Sequence, residues 1–191
     1  MNKERLTAFS DGVIAVIITI MVLEMKVPHG SELPALWPLA PVFGSYVLSF
    51  VYVGIYWNNH HHLLHAARSV DGRILWANLH LLFWLSLIPF CSGWMGENHF
   101  GVLPIALYGA VLLMCGIAYY ILSRLLIAHH GRESNLAIAL GSDQKGIGSL
   151  VLLAVAIPLA FFSAQAAFAI YVLVAAIWFI PDRRIAKVLR P

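Results

Sequence analysis

The stretch RLTAFSDGVIAVIITIMVLEM, residues 5–25, decides how the chain is read. Its centre is apolar enough for hydrocarbon. Yet Arg5, Ser10 and Asp11 stand at one end, Thr19 near the middle and Glu24 at the other. Side chains three and four residues apart share a helical face. One such face carries Phe9, Gly12, Val16, Thr19 or Ile20, and Leu23. Asp11 lies roughly 140° from that stripe at about 100° per residue, and Ser10 also points well off it. The helix therefore has a slim aliphatic face and a second face with a polar pair near its start. By itself, an aliphatic stripe of this kind reads as a packing seam between helices. A hydroxyl at Thr19 and a carboxylate at Glu24 are unusual in such a seam.

The remainder of the chain has the same character. Of 191 residues, 61% are apolar and 11% charged, and the mean hydropathy is +0.82. Soluble domains are about 45–50% apolar and about 25% charged. This composition belongs to an all-α integral membrane protein, and the length suits a single domain over residues 1–191. A span needs about 20 apolar residues. The spans expected are 9–25, 39–59, 74–94, 103–126, 147–163 and 165–181, six in all. The last two come from one uncharged run, too long for a single crossing, which a reversal near Ser163, Ala164 and Gln165 would divide. The first run carries Asp11 and Glu24 and no small-residue cleavage site, so it reads as a retained helix and not a signal peptide. Between spans one and two, the closely spaced prolines of VPHGSELPALWP punctuate the path.

Charge parity supports an even number of spans. Six crossings put Lys3, Arg5, Arg68, Arg73, Arg124, Arg132, Lys145, Arg183, Arg184, Lys187 and Arg190 on one side. The other side keeps Lys26 with Glu24, Glu32 and Glu97. The positive-inside rule then expects both termini in the cytoplasm and a multi-pass protein of the inner, plasma membrane. The pI near 9.0 is explained by these short basic segments, so nucleic acid is not expected as a partner. Cys91 and Cys115 fall inside apolar runs and are expected as buried free thiols.

A lone carboxylate in hydrocarbon costs roughly 2.5–3.5 kcal/mol on insertion scales, so Asp11 should have partners. The end of span two, YWNNHHHLLH, and the start of span three, RILWANLHLLFW, arrive at the same depth. Trp57, Asn58, Asn59, His60, His61, Asn78 and His80 can thus join Ser10 and Asp11 in one polar layer. Hydrocarbon demands that such a layer be satisfied internally, and its first role is to staple helices together.

These residues resemble the transmembrane protein 175 family, the endosomal and lysosomal potassium channels and their bacterial relatives. The likeness rests on R-x-x-x-F-S-D at Arg5, Phe9, Ser10 and Asp11, YWNNHH at 56–61, ILWANL at 74–79 and LIPF at 87–90. It implies a potassium-permeable cation channel. One six-helix repeat per chain implies a homotetramer; animal members carry two repeats and dimerise. The first helix of each repeat is implied to line the pore, with large aliphatic residues as its constriction. By position after the motif, that neck maps to Val16, Ile20 and Leu23, with Thr19 a polar ring beside it. Val16 stands where isoleucine or leucine is usual, which implies a wider neck at that level. Arg5, Phe9, Ser10, Asp11, Trp57, His61 and Asn78 are the expected structural network, His61 being placed there by the resemblance.

An acidic outer mouth of Glu24, Glu32 and Glu97 would concentrate cations. No TVGYG-like carbonyl filter is present. Selection is then left to ion dehydration at a hydrophobic neck, which gates by dewetting, and only a modest preference for potassium over sodium is expected. The partners expected are other copies of the chain, the bilayer and monovalent cations. No cofactor is expected beyond the permeant potassium ion.

Two other classes compete. A proton-coupled membrane transporter could use Asp11 and the helix-two histidines as a relay. A membrane oxidoreductase could place haem between His61 and His80. His61 and His65, one turn apart, have a spacing that could chelate zinc, but no cysteine or carboxylate partner stands near them in sequence, so no metal is expected. His129 and His130 lie in the other long loop on that side. Nucleophile–base pairs, phosphate loops and metalloprotease motifs are absent from the sequence, so the chain is not expected to be an enzyme.

Overall fold

The computed structural model describes residues 3–131, 134, 137 and 143–179. Among these the secondary structure is entirely helical. Helix α1 spans Lys3–Leu23, and a 3-10 segment, Leu33–Leu39, leads into α2, Ala40–Ala66. Helices α3, Gly72–Ser86, and α4, Ile88–Glu97, follow, then α5, Val102–His130, α6, Gln144–Leu159, and α7, Ala164–Phe179. Among the described residues, four stretches are long and apolar enough to cross a membrane: Lys3–Leu23, Leu33–Ala66, Gly72–Glu97 and Val102–His130. Gln144–Leu159 and Ala164–Phe179 are shorter apolar helices.

Three boundaries differ from expectation for identifiable reasons. The third span is broken at Leu87 into α3 and α4. Pro89 opens α4; it has no N–H to give and its ring crowds the carbonyl four residues back. Helix α2 runs seven residues past Asn59, through the histidine cluster, and stops only at the extended Ala67. The reversal between the last two helices comes earlier than expected: Phe161 N–H bonds Pro158 O and Phe162 N–H bonds Leu159 O. Ser163 instead opens α7, its Oγ accepting from Ala166 N–H at 3.3 Å.

The turns sort to two ends. At one, Lys3 Nζ donates to Ala67 O at 2.9 Å, and Arg68 N–H donates to His130 Nε2 at 2.9 Å. The start of α1, the α2–α3 turn and the end of α5 therefore meet. At the other end, Lys26 Nζ binds Glu97 Oε1 at 2.7 Å, joining the exits of α1 and α4. That grouping is the one charge parity expected for these segments. Arg132, Arg183, Arg184, Lys187 and Arg190 lie outside the described residues.

Asp71 anchors the first end. Its Oδ1 accepts from Ile74 N–H at 2.9 Å, capping α3, and His129 Nδ1 stands 3.6 Å from Oδ2. The Ile74 amide, then the nearby His129 and Arg73, hold its carboxyl below the ordinary 3.8. A depressed pKa means a contribution present above the unfolded value and lost as pH falls through the folded one. Asp71→Ala should thus lower the thermal midpoint at neutral pH. The gap between variant and parent should close once pH falls below the ordinary aspartate range, as seen by melting in detergent across pH.

The interior is held by close helix contact and a buried hydroxyl cluster. Ser49 Oγ donates to Ser92 Oγ at 2.9 Å and lies 3.0 Å from the Tyr108 hydroxyl, while the Tyr52 hydroxyl donates to Tyr171 O at 2.6 Å. Cys91 and Cys115 are buried free thiols. At Gly96 the backbones of α4 and α2 nearly touch: a methyl group there would stand 2.6 Å from Val42 Cα. Small residues permit such approach in bilayers. Gly96→Val should cost about 1–3 kcal/mol through overpacking, readable as a lowered melting temperature.

Candidate functional site

Helix α1 stands at the edge of the bundle and divides its residues sharply by face. Leu6, Ser10, Ile14, Ile17 and Met21 are buried against α2, α3 and α4. Ile14 is 1% exposed and Ile17 4%. On the neighbouring face, Val16 is 56% exposed, Ile20 42% and Leu23 75%. Phe9, Gly12 and Thr19 are exposed with them. An open groove of about 750 Å³ runs along this face, walled by Phe9, Gly12, Val16, Ile20 and Glu24 on one side and Pro89 and Phe90 on the other. Thr19 Oγ1 donates back to Ala15 O at 2.7 Å, which spends its proton and leaves oxygen lone pairs as the polar offering of that face.

The buried face is pinned by a chain of side-chain hydrogen bonds. Ser10 Oγ donates to Leu6 O at 2.8 Å and accepts from Asn78 Nδ2 at 2.9 Å. Asn78 Oδ1 lies 2.7 Å from His60 Nε2. Since Asn78 Oδ1 can only accept, His60 carries its proton on Nε2. Ser10, His60 and Asn78 are fully buried. His60 Nδ1 has no partner among the described residues. Asp11 is held separately: Trp57 Nε1 donates to its Oδ1 at 3.1 Å. Three helices thus meet at Ser10, Asp11, Trp57, His60 and Asn78.

Three expected members stand elsewhere. His61 is not the histidine bonded to Asn78; that is His60. On α2, His60 shares the inward stripe of Val53 and Leu64, at spacings of seven and four, whereas His61 is rotated outward by one residue. It stacks on His65, with ring centroids 6.2 Å apart, and lies 6.0 Å from the Trp57 ring. The 3.6-residue period groups His60 with Val53 and Leu64, but only the fold shows that this face is the inward one. Arg5 is exposed and makes no hydrogen bond among the described residues. His80 accepts from Trp84 Nε1 at 2.9 Å on its own helix, away from the layer. Among the described residues no group of three or more His, Cys, Asp or Glu side chains is placed to hold a metal ion.

At the far end of the groove stands Glu24, and both it and Glu97 act on the Lys26 ammonium. The Glu97 bond holds the Lys26 ammonium above its ordinary value, so that pair stays neutralised. Glu24 adds negative charge at that end of the groove.

Residues 5–89 match the family described as the endosomal/lysosomal potassium channel TMEM175. Over 190 residues the chain is 53% identical to a protein from Chryseobacterium sp. (strain P1-3) named a potassium channel, covering 100% of this chain and 99% of the relative. The chain belongs to the TMEM175 family. This is a family of ion channels and not of enzymes. A Gallus gallus TMEM175, named an endosomal/lysosomal proton channel, is 40% identical over 75 residues, 33% of this chain and 15% of the relative. The crystal structure of a lysosomal potassium-selective channel TMEM175 homologue from Chamaesiphon minutus superposes with a TM-score of 0.81. It covers 95% of this chain and 97% of that one at 23% identity, a likeness of fold. The stretch that matches TMEM175 contains the whole Ser10–Asn78–His60 chain, the Trp57–Asp11 bond and the exposed face of α1.

Proposed function

We propose that this TMEM175-family chain forms a potassium-permeable channel in which four copies surround a path lined by the exposed face of α1. Val16, Ile20 and Leu23 form its hydrophobic neck and Thr19 a polar ring within it. The reading is carried by the contrast between faces of α1: one is hydrogen-bonded and buried in the protomer, while the adjacent aliphatic one has no cover. A large apolar face with a walled groove is what an assembly interface or conduit requires. Ser10, Asp11, Trp57, His60 and Asn78 hold the helix in place. Both termini lie in the cytoplasm, the membrane is the plasma membrane, and no cofactor takes part. Ions cross by losing part of their hydration at an oily constriction, so preference for potassium over sodium is modest.

Reconstitution in liposomes with an outward potassium gradient tests this. Passive flux that continues on replacing potassium with rubidium and falls modestly with sodium is expected. Absence of flux from a correctly folded sample overturns it. A second reading, a proton-coupled carrier, draws on Asp11 and on the line of Trp57, His61 and His65 at the same end. It requires potassium flux to move protons in fixed proportion, which a pH dye inside the liposomes would register.

A further inference from the structure

Away from α1, and largely outside the stretch that matches the family, α2, α5, α6 and α7 enclose a second cavity of about 60 Å³. It is lined by Tyr52, Tyr56, Tyr119 and Trp178, with Asn59 and Asp143 at the end of the bundle that holds Lys3. One water needs about 10–15 Å³ on this measure, so the space takes a group of several heavy atoms. Gly116 helps keep it open: a methyl group there would stand 2.6 Å from Leu150 Cδ2 and 3.6 Å from the Tyr56 hydroxyl.

The polar atoms facing this space are mostly acceptors. Asn59 gives one of its two Nδ2 hydrogens to Ile55 O, and its Oδ1 accepts no hydrogen bond among the described residues. Asp143 Oδ1 accepts from Gly146 N–H, and its Oδ2 has no hydrogen-bond partner among the described residues. The Tyr56 hydroxyl makes no hydrogen bond among the described residues. Among the described residues the lining contains one carboxylate and no cationic side chain. At its rim the protein places a cation of its own on the same aromatic collar: Lys145 Nζ stands 4.7 Å from the Trp178 ring centre.

We propose that this cavity is a binding site for a small organic ammonium ion, a primary amine on an aryl or short alkyl body. An ammonium brings three donors to meet Tyr56, Asn59 Oδ1 and the free oxygen of Asp143. Its apolar body fills the space among the tyrosines, whose ring faces attract positive charge. Apolar pockets with a few converging polar groups are the usual form of small-molecule sites. The site is independent of the α1 path, so its failure would leave the channel reading untouched.

The test is a 19F NMR titration of the purified full chain with 4-fluorobenzylammonium, compared with neutral 4-fluorobenzyl alcohol. Saturable binding of the ammonium is expected, with the alcohol at least about tenfold weaker, as loss of a charge-assisted contact implies. Asp143→Asn keeps a side chain able to cap α6; it should weaken the ammonium about tenfold and leave the alcohol unchanged. Tyr56→Phe should weaken the ammonium by a smaller factor, and melting curves would establish that both variants are folded. Non-saturating partition into detergent, equal for parent and Asp143→Asn, would overturn the proposal. So would an alcohol that binds as tightly as the ammonium.

Discussion

Replacing Ile20 with asparagine raises potassium flux into liposomes by about tenfold. A tenfold rise is about 1.4 kcal/mol off the barrier, or about 0.35 kcal/mol from each of four subunits. An amide can supply that by replacing part of the water that a dehydrating ion leaves behind, and by keeping the neck wet. Ile20 is 42% exposed on the unburied face of α1, outside the buried set of Ile14, Ile17 and Met21, so the substitution leaves that packing in place. Ile20→Val, which stays apolar, should leave flux within about twofold by the same barrier reckoning. Stopped-flow flux on samples matched for oligomer content reads both. An unchanged rate in Ile20→Asn removes Ile20 from the pore.

The second large effect is on the staple. Asn78→Ala takes the partner from Ser10 and His60 at once. Each stranded buried group costs about 1–3 kcal/mol, so a loss of about 2–4 kcal/mol is expected, with a lower melting temperature and less oligomer. Hydrogen bonds between membrane helices are often worth less, about 0.6 kcal/mol on average by double-mutant cycles. Full burial of all three members argues for the larger figure. Replacing Ser10, His60 and Asn78 together by apolar residues of similar size should recover much of the stability, because no polar group is then stranded. If Asn78→Ala melts like the parent, the chain of bonds does not fix α1. Asp11→Ala, which frees only the Trp57 indole, should act in the same direction but less.

Much of this was legible in the sequence. Hydropathy and charge parity place the helices, because a bilayer leaves helical spans few alternatives. The 3.6-residue period separates the Val16 and Ile20 stripe from Ser10 and Asp11, but which face is buried, with Ile14 and Ile17 inward, is set by packing against α2, α3 and α4. What could not be read is set by tertiary contact. The break at Leu87 needed the packing of α4 against α2 as well as Pro89. Neighbouring histidines, 60 and 61, differ only by a 100° turn, and the partner at Asn78 chooses between them. The Ser49–Ser92–Tyr108 cluster joins residues far apart in sequence, each unremarkable alone. Glu97, expected as free acid at the outer mouth, is taken by Lys26.

Cysteine accessibility along α1 tests the central claim most directly. The native thiols Cys91 and Cys115 are buried, so introduced cysteines report against a quiet background. Single cysteines at Val16, Ile20 and Leu23 should react with a small cationic thiol reagent and lose potassium flux on modification. Cysteines at Ile14 and Ile17 should stay unreactive and conduct as before. Equal labelling of both sets, or labelling at Val16, Ile20 and Leu23 with flux unchanged, would mean that this face of α1 lines no ion path.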